Sequence, residues 1–230
     1  MLDALLGWGS GAGMLVALWM IFMVAPTEAQ MGNVQRIFYV HVPCAWAAFL
    51  GFFAVAGASA VFLWNGSRRA DRLAQAWAEV GVLFCTLVLI TGPIWARPIW
   101  GVWWTWDPRL TMTVILWAIY AGYLLLRAFG GPDEAVARWA AVLGIVGVLD
   151  VPVIHYAVRL LQGIHPAVIT TREGGSGLVD PDMRHTLYVA SIAMLLFAFW
   201  LVRLRVRLAE VEDGVVAARH ALEASEGAAA

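Results

Sequence analysis

Apolar side chains run along this chain in blocks too long for an ordinary soluble element. Windows at about 4–25, 43–64, 77–95, 110–128, 138–156 and 186–206 carry almost no charge. Each has close to the twenty residues that an α-helix needs to cross the hydrocarbon core of a bilayer. Within lipid every backbone amide must be paired inside the protein, so an open chain crosses as helices. The pattern predicts an all-α integral membrane protein with six transmembrane helices. Residues 1–207 read as one six-helix domain, with 208–230 as an alanine- and glutamate-rich helical tail that frays. The first window follows Asp3 and no arginine, whereas a cleaved signal peptide has a basic start. It reads as an uncleaved span.

The connectors sort the charge. Asn65-Gly66-Ser67-Arg68-Arg69-Ala70-Asp71-Arg72 joins the second and third windows, and Gly130-Gly131-Pro132-Asp133-Glu134, flanked by Arg127 and Arg138, joins the fourth and fifth. With Arg203, Arg205 and Arg207 at the end of the sixth window, these arginines mark one side, and Arg219 follows in the tail. Arg36, Arg97, Arg109, Arg159, Arg172 and Arg184 fall on the other side, spread over longer loops. The positive-inside rule then places both termini in the cytoplasm. Loops 26–42, 96–109 and 157–185 share the outer face.

Composition narrows the chemistry. Of the 230 residues 62% are hydrophobic and 13% charged, about half the charge of a soluble domain. All 15 basic residues are arginine, and the formal net charge of −1 gives no nucleic-acid signal. The two cysteines, Cys44 and Cys85, form neither C-x-x-C nor C-x-x-C-H, which excludes a thioredoxin-like pair and covalent haem attachment. Both lie in or beside apolar runs and read as small buried hydrophobes. The sequence has no G-x-x-x-x-G-K-[ST] motif, so any ATP would be hydrolysed by a partner.

The outer loops hold the unusual residues. The segment 92–111 carries Trp95, Trp100, Trp103, Trp104 and Trp106, five of the chain's 13 tryptophans, interleaved with Arg97, Asp107 and Arg109. If helical, it would put Trp100, Trp103 and Trp104 on one face. An aromatic belt scatters tryptophan over many helix ends, and a cage for a quaternary amine usually has acidic neighbours rather than two arginines. Flat indole faces combined with arginine forks suit a large planar apolar ligand carrying carboxylates, such as a porphyrin. Four histidines lie on or beside the same face: His41 in Val40-His41-Val42-Pro43, His155 and His165 ten residues apart, and His185 before the sixth span. Paired imidazoles can ligate haem iron. The residues alone do not separate His155 from His165.

The run Trp100-Gly101-Val102-Trp103-Trp104-Thr105-Trp106-Asp107-Pro108-Arg109-Leu110-Thr111 resembles the W-G-x-W-W-x-W-D-x-R-L-T signature of the WWD haem-handling family. Length, span number and flanking histidine segments resemble its CcmC branch, from cytochrome c maturation system I, over about residues 30–207. That resemblance implies non-covalent haem b as cofactor, with His41 (the H-V-P segment) and His165 (the end of H-Y-x8-H) as axial iron ligands. It leaves His155 either structural or a supporting residue behind the ligands. The same reading puts haem against Trp95, Trp100, Trp103, Trp104 and Trp106, with Arg109, joined by Arg97, neutralising propionates and Asp107 orienting Arg109 or a loop amide. The family often has tryptophans between its second pair of histidines, where this chain has Arg159-Leu160-Leu161. The resemblance further implies a bacterial inner-membrane protein, not itself an enzyme, that presents haem to the periplasmic chaperone CcmE. Its neighbours would be the ABC transporter subunits CcmA and CcmB, and CcmD. The competing reading is a cofactor-free membrane subunit of an ABC-type transporter, and length argues against the larger haem ligases that share the signature. Alkaline phosphatase fused after Ala230 is expected to be inactive, and fused within loop 96–109 active; the reverse pattern would overturn the orientation.

Overall fold

A helix ladder broken at defined glycines and prolines runs through the computed structural model, which describes residues 1–131, 133–160, 178 and 180–229. Helix α1 spans Leu2–Trp19 and ends in a π-helical turn, Met20–Val24; a 3-10 turn at Asn33–Ile37 leads into α2, Phe38–Asn65. Helices α3 (Arg68–Trp100), α4 (Pro108–Phe129), α5 (Glu134–Val148), α6 (Asp150–Leu160) and α7 (Pro181–Ala229) follow. Six of the resulting stretches are long and apolar enough to cross a membrane: Leu2–Val24, Asn33–Asn65, Arg68–Trp100, Pro108–Phe129, Glu134–Tyr156 and Pro181–Ala221. No strand occurs among the described residues.

The helix boundaries depart from the hydropathy windows in three instructive places. Arg68, Arg69 and Arg72, assigned to a connector, lie in the first turns of α3, whose N-cap Ser67 accepts from the Ala70 amide. The loop assigned to 26–42 instead contains the 3-10 turn and the first turn of α2, so His41 is inside a helix. The fifth window is two helices. Pro152 has no amide to offer the carbonyl of Val148 and its ring crowds that carbonyl, which is where α5 stops and Leu149 turns the chain into α6.

Glycine positions set how closely the helices pack. At Gly51 an added Cβ would sit 3.3 Å from the Gly81 Cα, and at Gly81 it would meet the Phe52 ring at 2.8 Å, so α2 and α3 approach backbone to backbone, as small residues allow in membranes. The fully buried Phe52 ring stacks on Tyr120 of α4 at 3.9 Å between centroids, and the Tyr120 hydroxyl donates to the Gly144 carbonyl of α5 at 2.7 Å. A Cβ on Gly144 would strike Val55, and one on Gly147 would strike Ile119 and Tyr120. Helix α1 lies against α7, with Gly7 under the Trp200 indole and Gly13 against Ala193. Cys44 and Cys85 are free and buried, as expected of small hydrophobes.

Charge gathers at one end of this bundle in cross-helix pairs. Asp71 receives a bidentate fork from Arg127, 2.8–3.0 Å, joining α3 to α4. Asp3 of α1 pairs with Arg203 at 2.6 Å and with Arg207, while Glu79 of α3 pairs with Arg205 and Arg72 with Asp213. The arginines counted for topology therefore also bind neighbouring helices together. Gly81→Ala and Gly122→Ala gain the same helix propensity, but a Cβ on Gly122 meets nothing within 4 Å. Gly81→Ala is expected to be the less stable of the two by about 1–3 kcal/mol, the cost of overpacking a core. Equal thermal unfolding midpoints in detergent would contradict this packing.

Candidate functional site

The opposite end of the bundle gathers the start of α2, the end of α3, the segment after it, the end of α6 and the start of α7. His41 lies in the first turn of α2 and is 8% exposed. Its Nδ1 lies 2.8 Å from the Thr91 hydroxyl of α3, and its ring meets the Trp95 indole edge-on, 5.8 Å between centroids at 65°. Thr91 and Trp95 are four residues apart and so share one face of α3. Trp95 also packs edge-on to Phe38, within a buried cluster that includes Ile21, Tyr39, Met183 and Leu187. Arg36 steadies this corner: its guanidinium donates to the Ile21 carbonyl, in the π turn, and lies over the Phe22 ring.

The tryptophan segment is not one helix. Trp100 is the last residue of α3, and Gly101 ends it with φ 76°, a left-handed conformation that glycine adopts without a Cβ penalty. Arg97 donates to the Gly101 carbonyl across this cap. Residues 101–107 are non-helical, so Trp103 and Trp104 do not continue the face that carries Trp100. The shared-face reading fails because the helix stops at Trp100, four residues short of Trp104. Trp104 and Trp106 instead contact each other edge-to-face at 5.9 Å, with Trp106 and Trp103 exposed. The indole nitrogens of Trp95 and Trp104 and the Thr105 hydroxyl are buried and lack a hydrogen-bond partner among the described residues.

Asp107 restarts the helix. Buried, it caps α4 by accepting from the Arg109 amide at 2.9 Å, with Pro108 at the first helical position, where its missing amide costs nothing. The amide that Asp107 holds is thus that of Arg109, in the first turn of α4. The Arg109 guanidinium donates across to α6, to the carbonyls of Ile154 at 3.3 Å and His155 at 3.4 Å. His155 itself is exposed and packs edge-on to Tyr156, while His185 is exposed in the first turn of α7. His165 lies outside the described residues, as does Arg172. Among the described residues the structure thus brings together His41, Trp95 and the α3 terminus, and separately Asp107, Arg109 and α6. Thr91 was not singled out from the sequence, although its i, i+4 relation to Trp95 was available. Nor was Asp150, a carboxylate inside the fifth span at the Pro152 break, with Oδ2 buried and unpartnered among the described residues.

The comparisons agree with one another. The family model described as "Heme exporter protein C" matches residues 2–220. A heme exporter protein C of Bradyrhizobium diazoefficiens is 38% identical over 174 residues, 75% of this chain and 65% of that protein, so the alignment covers just under two thirds of the relative's length. Heme exporter protein C of Escherichia coli K12 is 34% identical over 81% of this chain and 74% of its own. A cytochrome c biosynthesis ccmC-like mitochondrial protein of Marchantia polymorpha is 32% identical over 83% of this chain and 81% of its own. With six bilayer-length helices and the tryptophan-rich segment between the third and fourth, the chain belongs to the CcmC family, heme exporter protein C.

Proposed function

We propose that this protein binds non-covalent haem b at the periplasmic face of a bacterial inner membrane and presents it to the chaperone CcmE during cytochrome c biogenesis. Both termini then lie in the cytoplasm, and ATP hydrolysis falls to the CcmA and CcmB subunits beside CcmD. The observation that carries this reading is the position of His41. It is an almost buried imidazole one turn into α2, edge-on to Trp95, at the end of the bundle where the tryptophan segment begins.

The donor chemistry fits a porphyrin. Haem iron needs only axial ligands from the protein, and imidazole is a common one. His41 supplies one and His165 the other. The exposed indoles of Trp103 and Trp106, with Trp100 and Trp104 beside them, offer flat apolar area at the membrane surface. Trp95 and Trp104 bury indole N–H groups that lack a protein acceptor among the described residues, and buried donors are ordinarily satisfied. Arg109, held in place by the α6 carbonyls, and Arg97 are the cations for the propionates. Bound haem supplies a coordinating iron. The chain's own residues hold and orient it at the surface, where a soluble partner reaches it.

The alternative is a membrane subunit of an ABC-type transporter with no cofactor. Absorption spectra of the detergent-purified protein, oxidised and dithionite-reduced, separate the two. Wild type is expected to show a low-spin b-type spectrum that is lost or altered in His41→Ala and in His165→Ala and unchanged in His220→Ala. A protein that stays colourless and refuses added haemin supports the cofactor-free subunit. Wild-type haem retained in the His41/His165 double variant removes both residues as ligands.

A further inference from the structure

The hydroxyl of Thr91 faces two groups at once. It lies 2.7 Å from the Leu87 carbonyl, one turn back along α3, and 2.8 Å from Nδ1 of His41. A hydroxyl has one proton and two lone pairs. Two oxygens at 2.7 Å without a proton between them repel, and a carbonyl cannot donate. The Thr91 proton therefore goes to Leu87, in the i−4 back-bond usual for threonine in helices. The Val88 carbonyl at 3.4 Å is a weaker alternative acceptor and leads to the same conclusion. The Thr91 oxygen must then accept from His41, which puts the imidazole proton on Nδ1.

Neighbouring residues hold the ring in this position. Cε1 of His41 lies over Gly92 of α3, 3.5 Å from where a Cβ would stand, and Trp95 meets the ring edge-on. Residues 91, 92 and 95 are thus a cradle on one helix. With His41 only 8% exposed, water competes little for Nδ1.

We infer that Thr91 is a positioning residue that holds His41 as the Nδ1–H tautomer, which places the imidazole lone pair on Nε2 as the iron-coordinating atom. The inference rests on the reading of His41 as a haem ligand for its purpose, but not for its geometry. Ligating histidines commonly donate their second nitrogen to an acceptor that fixes tautomer and ring orientation, and loss of such a partner typically costs 10- to 100-fold in affinity. Here the acceptor is a side-chain hydroxyl on the neighbouring helix, itself polarised by donation to a carbonyl.

The test uses full-length protein labelled with 15N-histidine, haem-free in lipid nanodiscs, with the His41 signals assigned by their loss in His41→Ala. Wild type and Thr91→Ser are expected to show a protonated, pyrrole-type Nδ1 and a pyridine-type Nε2. Thr91→Val, which keeps the shape and removes the acceptor, is expected to move His41 toward the Nε2–H form and to weaken haemin binding about 10- to 100-fold. A protonated Nε2 in wild type, or identical His41 signals in wild type and Thr91→Val, would overturn the assignment. If His41→Ala binds haemin like wild type, the ligand reading fails instead, and the nitrogen signals alone decide the role of Thr91.

Discussion

The register of the α2–α3 hairpin is the constraint on which the rest depends. The chain turns at Gly66, whose φ of 68° is the left-handed conformation that lets α2 end and Ser67 cap α3 within one residue. Gly51 and Gly81, each fifteen positions from that turn, then lie backbone against backbone. His41 and Thr91, each twenty-five positions from it, face each other at hydrogen-bond distance. At 1.5 Å rise per residue, twenty-five positions carry the pair about 37 Å from the turn, beyond a hydrocarbon core of about 30 Å. A closely packed hairpin thus delivers a polar pair to the far end of the bundle without a loop to place it.

The two ends of the bundle use polar groups differently. At the end with the short connectors, Asp3, Asp71, Glu79 and Asp213 are each met by an arginine from another helix, so charge there fastens helices to one another. At the far end the arginines mostly donate to backbone carbonyls: Arg36 to Ile21 and Arg97 to Gly101 where helices stop, and Arg109 to Ile154 and His155 within α6. Helix C-termini expose unpaired carbonyls and carry partial negative charge, so cations settle there. These contacts fix the helix ends around the tryptophan segment and order the neighbourhood in which His41 and Trp95 lie.

Breaks in the helices shape the same end. Pro93 and Pro98 remove the amides that would bond Leu89 and Ile94 near the end of α3, and Gly101 then finishes the helix. Asp107-Pro108 begins the next one six residues on. Five tryptophans are thereby divided between a helix terminus and a short non-helical link, so Trp95 is buried against His41 while Trp103 and Trp106 are exposed. One stretch of chain both packs the histidine and presents flat apolar surface outward.

Much of this was legible in the residues themselves. Six apolar windows predict six spans because lipid forces backbone pairing within helices, and that holds whatever the helices pack against. The twelve-residue tryptophan signature likewise identifies the family without coordinates, because its side-chain types are dense and their order is specific. Hydropathy could not set helix ends, which depend on whether a glycine such as Gly101 turns left-handed or a proline such as Pro152 deprives a carbonyl of its donor. Nor could it select Thr91 from the chain's other hydroxyls, because its importance comes from a residue fifty positions away. Which side chains meet across α2 and α3 was decided by tertiary packing alone, through the closeness that Gly51 and Gly81 permit and the register that Gly66 imposes.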